Sequence, residues 1–327
     1  MKTLYLIVPC YNEEDVLYKA ASRLLAKLEC LIRDEIVSEY SRILFVNDGS
    51  KDKTWEIISL LHTKNIMFSG ISLSHNQGQQ NALLAGMITA DKYADIVISL
   101  DADLQDDINV IDRMLEEYNK GNDIVYGTKA PIKKEKFHRK FLAESFYKFV
   151  KYIGVNMIPH HSSCRLMSRR AIEALSEYGE VNLFLPALVQ LLGFNSSIVH
   201  YEQNERFAGK TKYSIKKLFS LAMEAITSFS MKPIRMINLV GILFLFIFGG
   251  ITIYDIFTAF AGKFEGWLLV LASVWAVGGT FLLAVGVVGE YVGKTYLETK
   301  QRPRYFISEV LLETNKDREK DQNENTI

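Results

Sequence analysis

The chain has 327 residues, with 38 basic and 38 acidic side chains, so its formal charge is zero. That balance excludes a nucleic-acid binder that depends on overall positive charge. Hydrophobic residues make up 49%, the upper end for a soluble protein, and the excess is concentrated beyond residue 236.

Residues 4–9 form a compact apolar run that predicts a buried strand. Residues 13–31 carry helical periodicity through Val16, Leu17, Ala20, Leu24, Leu25 and Leu28. A second apolar run, 41–46, closes on Asn-Asp-Gly-Ser, a strong turn signal. A helix is predicted over 54–61, a strand over 66–73, a helix over 79–89 and a strand over 96–100. A helix over 108–120 and a short strand over 123–126 follow. Strands alternating with helices predict βαβ units in a largely parallel α/β sheet. Ligands of such sheets bind beyond the carboxyl ends of the strands, and the polar clusters lie there.

Two amphipathic stretches come next. Residues 137–155 mix Arg139, Lys140, Lys148 and Lys151 with Phe141, Phe146, Tyr147, Phe149 and Tyr152. Residues 213–229 mix Lys216 and Lys217 with Leu218, Phe219, Leu221, Met223 and Phe229. They read as ordinary surface helices or as helices lying in a bilayer headgroup region. Residues 236–254 and 267–289 then carry no charge over 19 and 23 positions, each enough to cross a bilayer core of about 30 Å. The short link between them predicts a hairpin. Lys232 and Arg235 before it, and Lys294, Lys300, Arg302 and Arg304 after it, put both ends in the cytoplasm by the positive-inside rule. Gly249, Gly250, Gly278 and Gly279 would allow close helix contact within or between subunits. Residues 313–327 read as a disordered polar end.

Cys10, Cys30 and Cys164 are odd in number and lack CxxC spacing, which predicts reduced thiols and no zinc site. The stretch MKTLYLIVPCYNEE lacks a signal peptide's apolar core and cleavage site. The first 230 residues are therefore expected to stay on the cytoplasmic side.

The sharpest feature is VISLDADLQDD, residues 97–107, where an apolar run ends in four carboxylates. Clustered like charges raise each other's pKa and cost stability unless something offsets them. A hard divalent cation does so with oxygen ligands, often shared between one or two carboxylates and substrate phosphates. Successive strand residues alternate faces, so the site forms only where the strand has ended. The bland alternative is a solvated turn with Asp106 or Asp107 as helix N-cap. Companion loops after the other strands are VPCYNEE, VNDGSKDKT and HNQGQ. No G-x-x-x-x-G-K-[ST] or G-x-G-x-x-G occurs, which argues against P-loop and dinucleotide sites.

VPCYNEE, VNDGSKDKT, DADLQD, CRLMSRRAIEAL and ERFAGKTKYSIKKL, in that order, resemble family 2 glycosyltransferases of the polyprenyl-phosphate class. That class includes bactoprenol glucosyltransferases and dolichol-phosphate mannose synthases. The two apolar spans and GEYVGKTYLETKQRPRY resemble its membrane-anchored bacterial branch, and the likeness runs from about residue 3 to 307.

The resemblance implies a GT-A fold in a cytoplasmic catalytic domain at 1–212, a juxtamembrane helix at 213–233, a transmembrane hairpin at 234–292 and a cytoplasmic segment at 293–327. It implies inverting transfer of a hexose, with glucose leading and GlcNAc, galactose or mannose as alternatives, from a UDP-sugar to polyprenyl phosphate at a bacterial plasma membrane. Mg²⁺ or Mn²⁺ would be the cofactor, and a homo-oligomer is implied. Donor contacts would come from Pro9, Tyr11, Glu13, Asp48, Gly78, Asp101, Ala102 and Gln105, with Asp103 and Asp101 on the metal. Arg139 and Arg165 would take the acceptor phosphate, and Arg206 and Lys212 the pyrophosphate or acceptor. Two positions depart from the pattern. Asn47 stands where aspartate is common, and Ser163 stands where many bacterial relatives carry a proposed basic aspartate. A phosphate acceptor, mostly dianionic at pH 7, needs no base to become a nucleophile. Rival readings are a transferase with a hydroxyl acceptor, and a non-catalytic, membrane-anchored nucleotide-sugar-binding partner of a flippase.

Overall fold

The computed structural model describes residues 1–103, 106–129, 161–180, 184–201 and 266–312, together with positions 243, 246, 250 and 253. These residues fall into two compact units, one built on a sheet and one containing a long apolar helix.

The sheet unit begins as the periodicity predicts. Strand β1, Leu4–Cys10, leads into helix α1, Leu17–Arg33; β2, Arg42–Asn47, into α2, Thr54–Lys64; β3, Phe68–Leu73, into α3, Gln79–Asp91; and β4, Ile96–Ser99, into α4, Val110–Asn119. Strand β5 spans Ile124–Lys129. Every residue of β2, β3 and β4 is buried, as expected of central strands covered on both faces. Helix α1 presents Leu17, Ala20, Ala21, Leu24, Leu28 and Leu31 to the core at helical spacing.

Four further elements escape the sequence reading: β6, His161–Ser168; α5, Arg169–Ser176; α6, Leu185–Leu191; and β7, Ser196–Tyr201. Strand β6 carries polar residues and an arginine, and β7 alternates exposed and buried as an edge strand does. The eighth strand, β8 at Ile307–Leu311, lies beyond the long helix yet joins the same sheet. The order is β7-β5-β6-β4-β1-β2-β3-β8. Strands β1 to β4 are mutually parallel where they pair, whereas β6 runs antiparallel to both β4 and β5, and β8 antiparallel to β3. The sheet is therefore mixed. Strand β7 pairs parallel with β5.

These directions bring many chain segments to one edge. Strands β1, β2, β3, β4, β5 and β7 all end there, and β6 and β8 begin there. The chain order reverses beside β1, which pairs with β2 on one side and β4 on the other. That is the switch point where α/β sheets open a binding crevice.

Helix α3 presses on the sheet just below this edge. A Cβ on Gly86 would lie 2.5 Å from Cγ2 of Ile7 and 2.8 Å from Cγ2 of Val46, so only glycine permits the approach. Seryl capping anchors α5: Ser168 Oγ accepts from the Ala171 N–H and donates to Asp123, which also pairs with Arg170.

The second unit's described part is helix α7, Trp267–Thr299, preceded by helical positions Leu243, Phe246, Gly250 and Ile253. At about 1.5 Å per residue its 33 residues exceed a bilayer core. Within it Ala276–Thr299 is long and apolar enough to cross a membrane, and Phe281, Leu282 and Leu283 are exposed. It is the one such helix among the described residues. The remainder of 236–254 lies outside them, as do 137–155, 213–229 and the tail after 312.

Gly86→Val should lower stability by about 1–3 kcal/mol, since overpacking forces the α3–sheet contact apart. Chemical unfolding followed by circular dichroism measures it. An unchanged midpoint would contradict the close approach.

Candidate active site at the carboxyl edge of the sheet

The loops after β1 and β2 are latched to each other. Asn12 takes a left-handed backbone with φ of 54°, a region in which asparagine is enriched. Its N–H donates to Ser50 Oγ at 3.0 Å, and its Oδ1 accepts from the Lys51 N–H at 2.9 Å. The Glu13 N–H donates to Thr54 Oγ1 at 2.9 Å, the Glu14 N–H to Asp52 at 3.2 Å, and the Lys53 N–H to Glu14 at 3.0 Å. Much of YNEE and DGSKDKT is thus spent on joining two loops, and Pro9 and the exposed Tyr11 lie at the same edge.

The loop after β3 is organised by Asp48. Its Oδ1 accepts from the Gln77 N–H at 2.7 Å, and its Oδ2 from the Gly78 N–H at 3.0 Å and the Asn76 amide at 3.1 Å. Burial pushes its carboxyl above the ordinary range, and the Gln77 and Gly78 N–H groups pull it back. This structural duty is not visible in the sequence. Asn47 is engaged too, donating to Ser72 Oγ at 2.9 Å and accepting from the Ser50 N–H at 3.1 Å. Gly49 has φ of 61°, and a Cβ there would meet the His75 carbonyl carbon at 2.5 Å, so this turn requires glycine.

Strand β4 ends at Ser99, so Asp101, Ala102 and Asp103 lie past the pleat that would have turned them to opposite faces. Asp101 Oδ1 accepts from Gln79 Nε2 at 2.8 Å and from Ser163 Oγ at 2.5 Å. Burial raises its pKa; the Ser163 hydrogen bond opposes that, the Asp103 charge adds to it and Lys129 opposes it. Ala102 is buried.

Asp106 has a different place from the one its sequence suggests. It does not cap α4, whose N-cap is Asn109; Asp107 makes the local turn instead, accepting from the Asn109 N–H at 3.1 Å. Asp106 is 4% exposed, and its Oδ1 accepts from Tyr201 OH at 2.7 Å. Its Oδ2 is buried without a hydrogen-bond partner among the described residues. Burial, then the Asp101 charge, push its pKa up to about 6, against the Tyr201 hydrogen bond and Lys129.

Arg165 enters on β6, opposite Ser99 on one side and Tyr126 on the other. It is 3% exposed, and its guanidinium carbon lies 5.5 Å from the Tyr126 ring centroid, a cation–π contact. Its Nε has no hydrogen-bond partner among the described residues. Burial lowers its pKa, although arginine stays charged.

The fold therefore brings Pro9, Tyr11, Glu13, Asp48, Gly78, Asp101, Ala102, Asp103 and Arg165 to one edge. Gln105, Arg139, Arg206 and Lys212 lie outside the described residues. Sequence reasoning passed over Gln79, Lys129, Asp106 as a buried acid, and Tyr201. Gln79, Lys129 and Tyr201 have only position as a signal, at the first residue of a helix or the last of a strand, and Asp106 sits in a loop with no local signal of its burial. Among the described residues no group of three His, Cys, Asp or Glu is placed to hold a metal alone. A cation on Asp101 and Asp103 would need further oxygens, as in sites shared with substrate phosphates.

The native pKa of Asp106 exceeds its ordinary value, so the native state holds the proton more tightly. Its contribution to stability is greatest below about pH 4 and is lost as pH rises to about 6. A shift from 3.8 to about 6 corresponds to about 3 kcal/mol. Metal-free wild type should lose stability relative to Asp106→Asn across that window in thermal melts; parallel pH profiles would contradict the burial of this acid.

The chain is similar in sequence to known proteins. The family described as glycosyl transferase family 2 matches residues 5–176. An uncharacterized glycosyltransferase, YkoT, of Bacillus subtilis (strain 168) is 42% identical over 305 residues, covering 93% of this chain and 90% of the relative. A prophage bactoprenol glucosyl transferase homolog of Escherichia coli (strain K12) is 36% identical over 312 residues, covering 93% and 98%. A crystal structure of glucosyl-3-phosphoglycerate synthase from Mycobacterium tuberculosis with Mn²⁺, UDP and phosphoglyceric acid superposes with a TM-score of 0.45 at 17% identity, covering 69% of this chain and 76% of that one. The matched domain and the near full-length relatives make this chain a glycosyltransferase of family 2.

Proposed function

We propose that the chain transfers a hexose, glucose foremost, from a UDP-sugar to a polyprenyl phosphate at the cytoplasmic face of a bacterial membrane. One observation carries the reading: a single sheet edge holds both the Asp101–Asp103 carboxylates and the buried Arg165, whose Nε has no partner among the described residues. The first pair suits a cation shared with a diphosphate, and the second suits an anionic acceptor. The name of the E. coli relative, a bactoprenol glucosyl transferase homolog, supports bactoprenol as acceptor and glucose as sugar.

In the proposed reaction an acceptor phosphate oxygen forms a bond to the anomeric carbon as the bond from that carbon to the β-phosphate oxygen breaks. UDP leaves, and the anomeric configuration inverts. A divalent cation on Asp103 and Asp101 would offset the charge that builds on the departing diphosphate. Arg165, with Arg139 from the same reading, would orient the acceptor phosphate. Tyr11, Pro9, Glu13 and the Asp48-held loop would line the nucleoside end, with Gly78, Ala102 and Gln105 beside the diphosphate and Arg206 and Lys212 closing on it. Asp48's remaining lone pairs would serve any contact with base or ribose. The Ser163 hydroxyl is committed to Asp101, which suits an acceptor that brings its own charge.

Helix α7 supports anchoring in the bilayer, and the uncharged run 236–254 supports a second span with both termini cytoplasmic. Glycines along these segments suit a homo-oligomer. Residues 300–306 separate α7 from β8, whose first residue pairs with the end of β3 at the site edge.

The purified protein should convert UDP-glucose and polyprenyl phosphate to a lipid-linked hexose when Mg²⁺ or Mn²⁺ is supplied, detected by mass spectrometry. No product from UDP-glucose, UDP-GlcNAc, UDP-galactose or GDP-mannose would favour the non-catalytic binding partner. Asp103→Ala should lower turnover by at least about 100-fold, more than loss of a group behind a metal ligand costs. Arg165→Lys should raise the acceptor KM and leave the donor KM near wild type, because lysine loses the planar fork.

A further inference from the structure

We infer that Ser163 and Gln79 are positioning residues that hold Asp101 for cation binding; the inference rests on the proposed metal-dependent donor site.

Both side chains bond the same atom. Gln79 Nε2 reaches Asp101 Oδ1 at 2.8 Å and Ser163 Oγ reaches it at 2.5 Å, so neither bond uses Oδ2. The donors come from separate elements, Gln79 from the first residue of α3 and Ser163 from β6. Ser163 is itself held, because Ser99 Oγ donates to the Ser163 carbonyl at 2.5 Å and to the Arg165 carbonyl at 3.3 Å. Ser99 is the last residue of β4 and lies in register with Arg165. A chain of bonds thus runs from the strand that delivers Asp101, through the neighbouring strand, and back to the Asp101 carboxylate.

This arrangement solves a problem created by the strand's ending. The Leu100 N–H still donates to the Ile7 carbonyl at 2.9 Å, but among the described residues Asp101 pairs with no strand, yet its carboxylate must keep one orientation beside Asp103. Two neutral donors on Oδ1 restrict rotation without adding charge and leave Oδ2 outside the clamp. A hydrogen-bonding group behind a metal ligand typically changes metal affinity by about 10–100-fold. A carboxylate at 163, placed where the serine hydroxyl is, would instead set two acids within hydrogen-bond distance.

The test is Mn²⁺ titration of the full-length protein in detergent with saturating UDP, by calorimetry. Ser163→Ala should weaken Mn²⁺ by about 10-fold or more, and Ser163→Thr, which keeps the hydroxyl, should restore it. Gln79→Leu should also weaken Mn²⁺ and decides the matter alone if Ser163→Ala does not fold. The double variant should lose less than the sum of the two, because both donors act on one oxygen. Turnover of Ser163→Ala should fall at limiting Mn²⁺ and recover at saturating Mn²⁺, with the acceptor KM unchanged. Wild-type Mn²⁺ affinity in both variants would overturn the positioning role. Failure of the wild type to bind Mn²⁺ in the presence of UDP would instead overturn the donor-site reading beneath it.

Discussion

The organising constraint is electrostatic: three carboxylates, Asp101, Asp103 and Asp106, gathered where a buried strand stops. Like charges in a partly desolvated place cost free energy, and the surrounding architecture can be read as the means of bearing that cost. Gln79 and Ser163 satisfy one oxygen of Asp101, Tyr201 satisfies one of Asp106, and Lys129 at the end of β5 opposes the charge of both. Each partner arrives from a different strand or helix. The mixed sheet is what makes this possible, because β6 begins at the edge where β4, β5 and β7 end.

The same edge carries a buried positive charge. Arg165 rests against Tyr126, and its backbone carbonyl accepts from the same serine hydroxyl that bonds Ser163. Strand β6 thus serves two chemistries two residues apart, a clamp on an acid at 163 and a guanidinium at 165. Within the proposed reaction that spacing sets the donor's leaving group beside the acceptor's phosphate. The latch between the loops after β1 and β2 does comparable work at the same edge, where side-chain oxygens of each loop accept from backbone N–H groups of the other.

The first five strands and four helices were legible because burial on both faces writes a continuous apolar run, and one-sided burial writes helical periodicity. Strands β6, β7 and β8 were not, for three physical reasons. Strand β6 spends its polar residues on the site, β7 is an edge strand with one wet face, and β8 is separated from its sheet by an apolar helix of 33 residues. The carboxylate cluster was legible as chemistry, but the division of labour within it was not. Asp106 looked like a helix cap and is a buried acid facing Tyr201, because pairing across 95 positions leaves no trace in local spacing. Ser163 looked like a loss and is a donor to Asp101.

In the proposed reaction the edge carboxylates are completed by a cation and a nucleoside diphosphate together. Calorimetric Mn²⁺ affinity with and without UDP, and UDP affinity with and without Mn²⁺, tests it most directly. Each ligand should tighten the other by the same factor, as linkage requires of a shared site. Mn²⁺ binding unchanged by saturating UDP would contradict it.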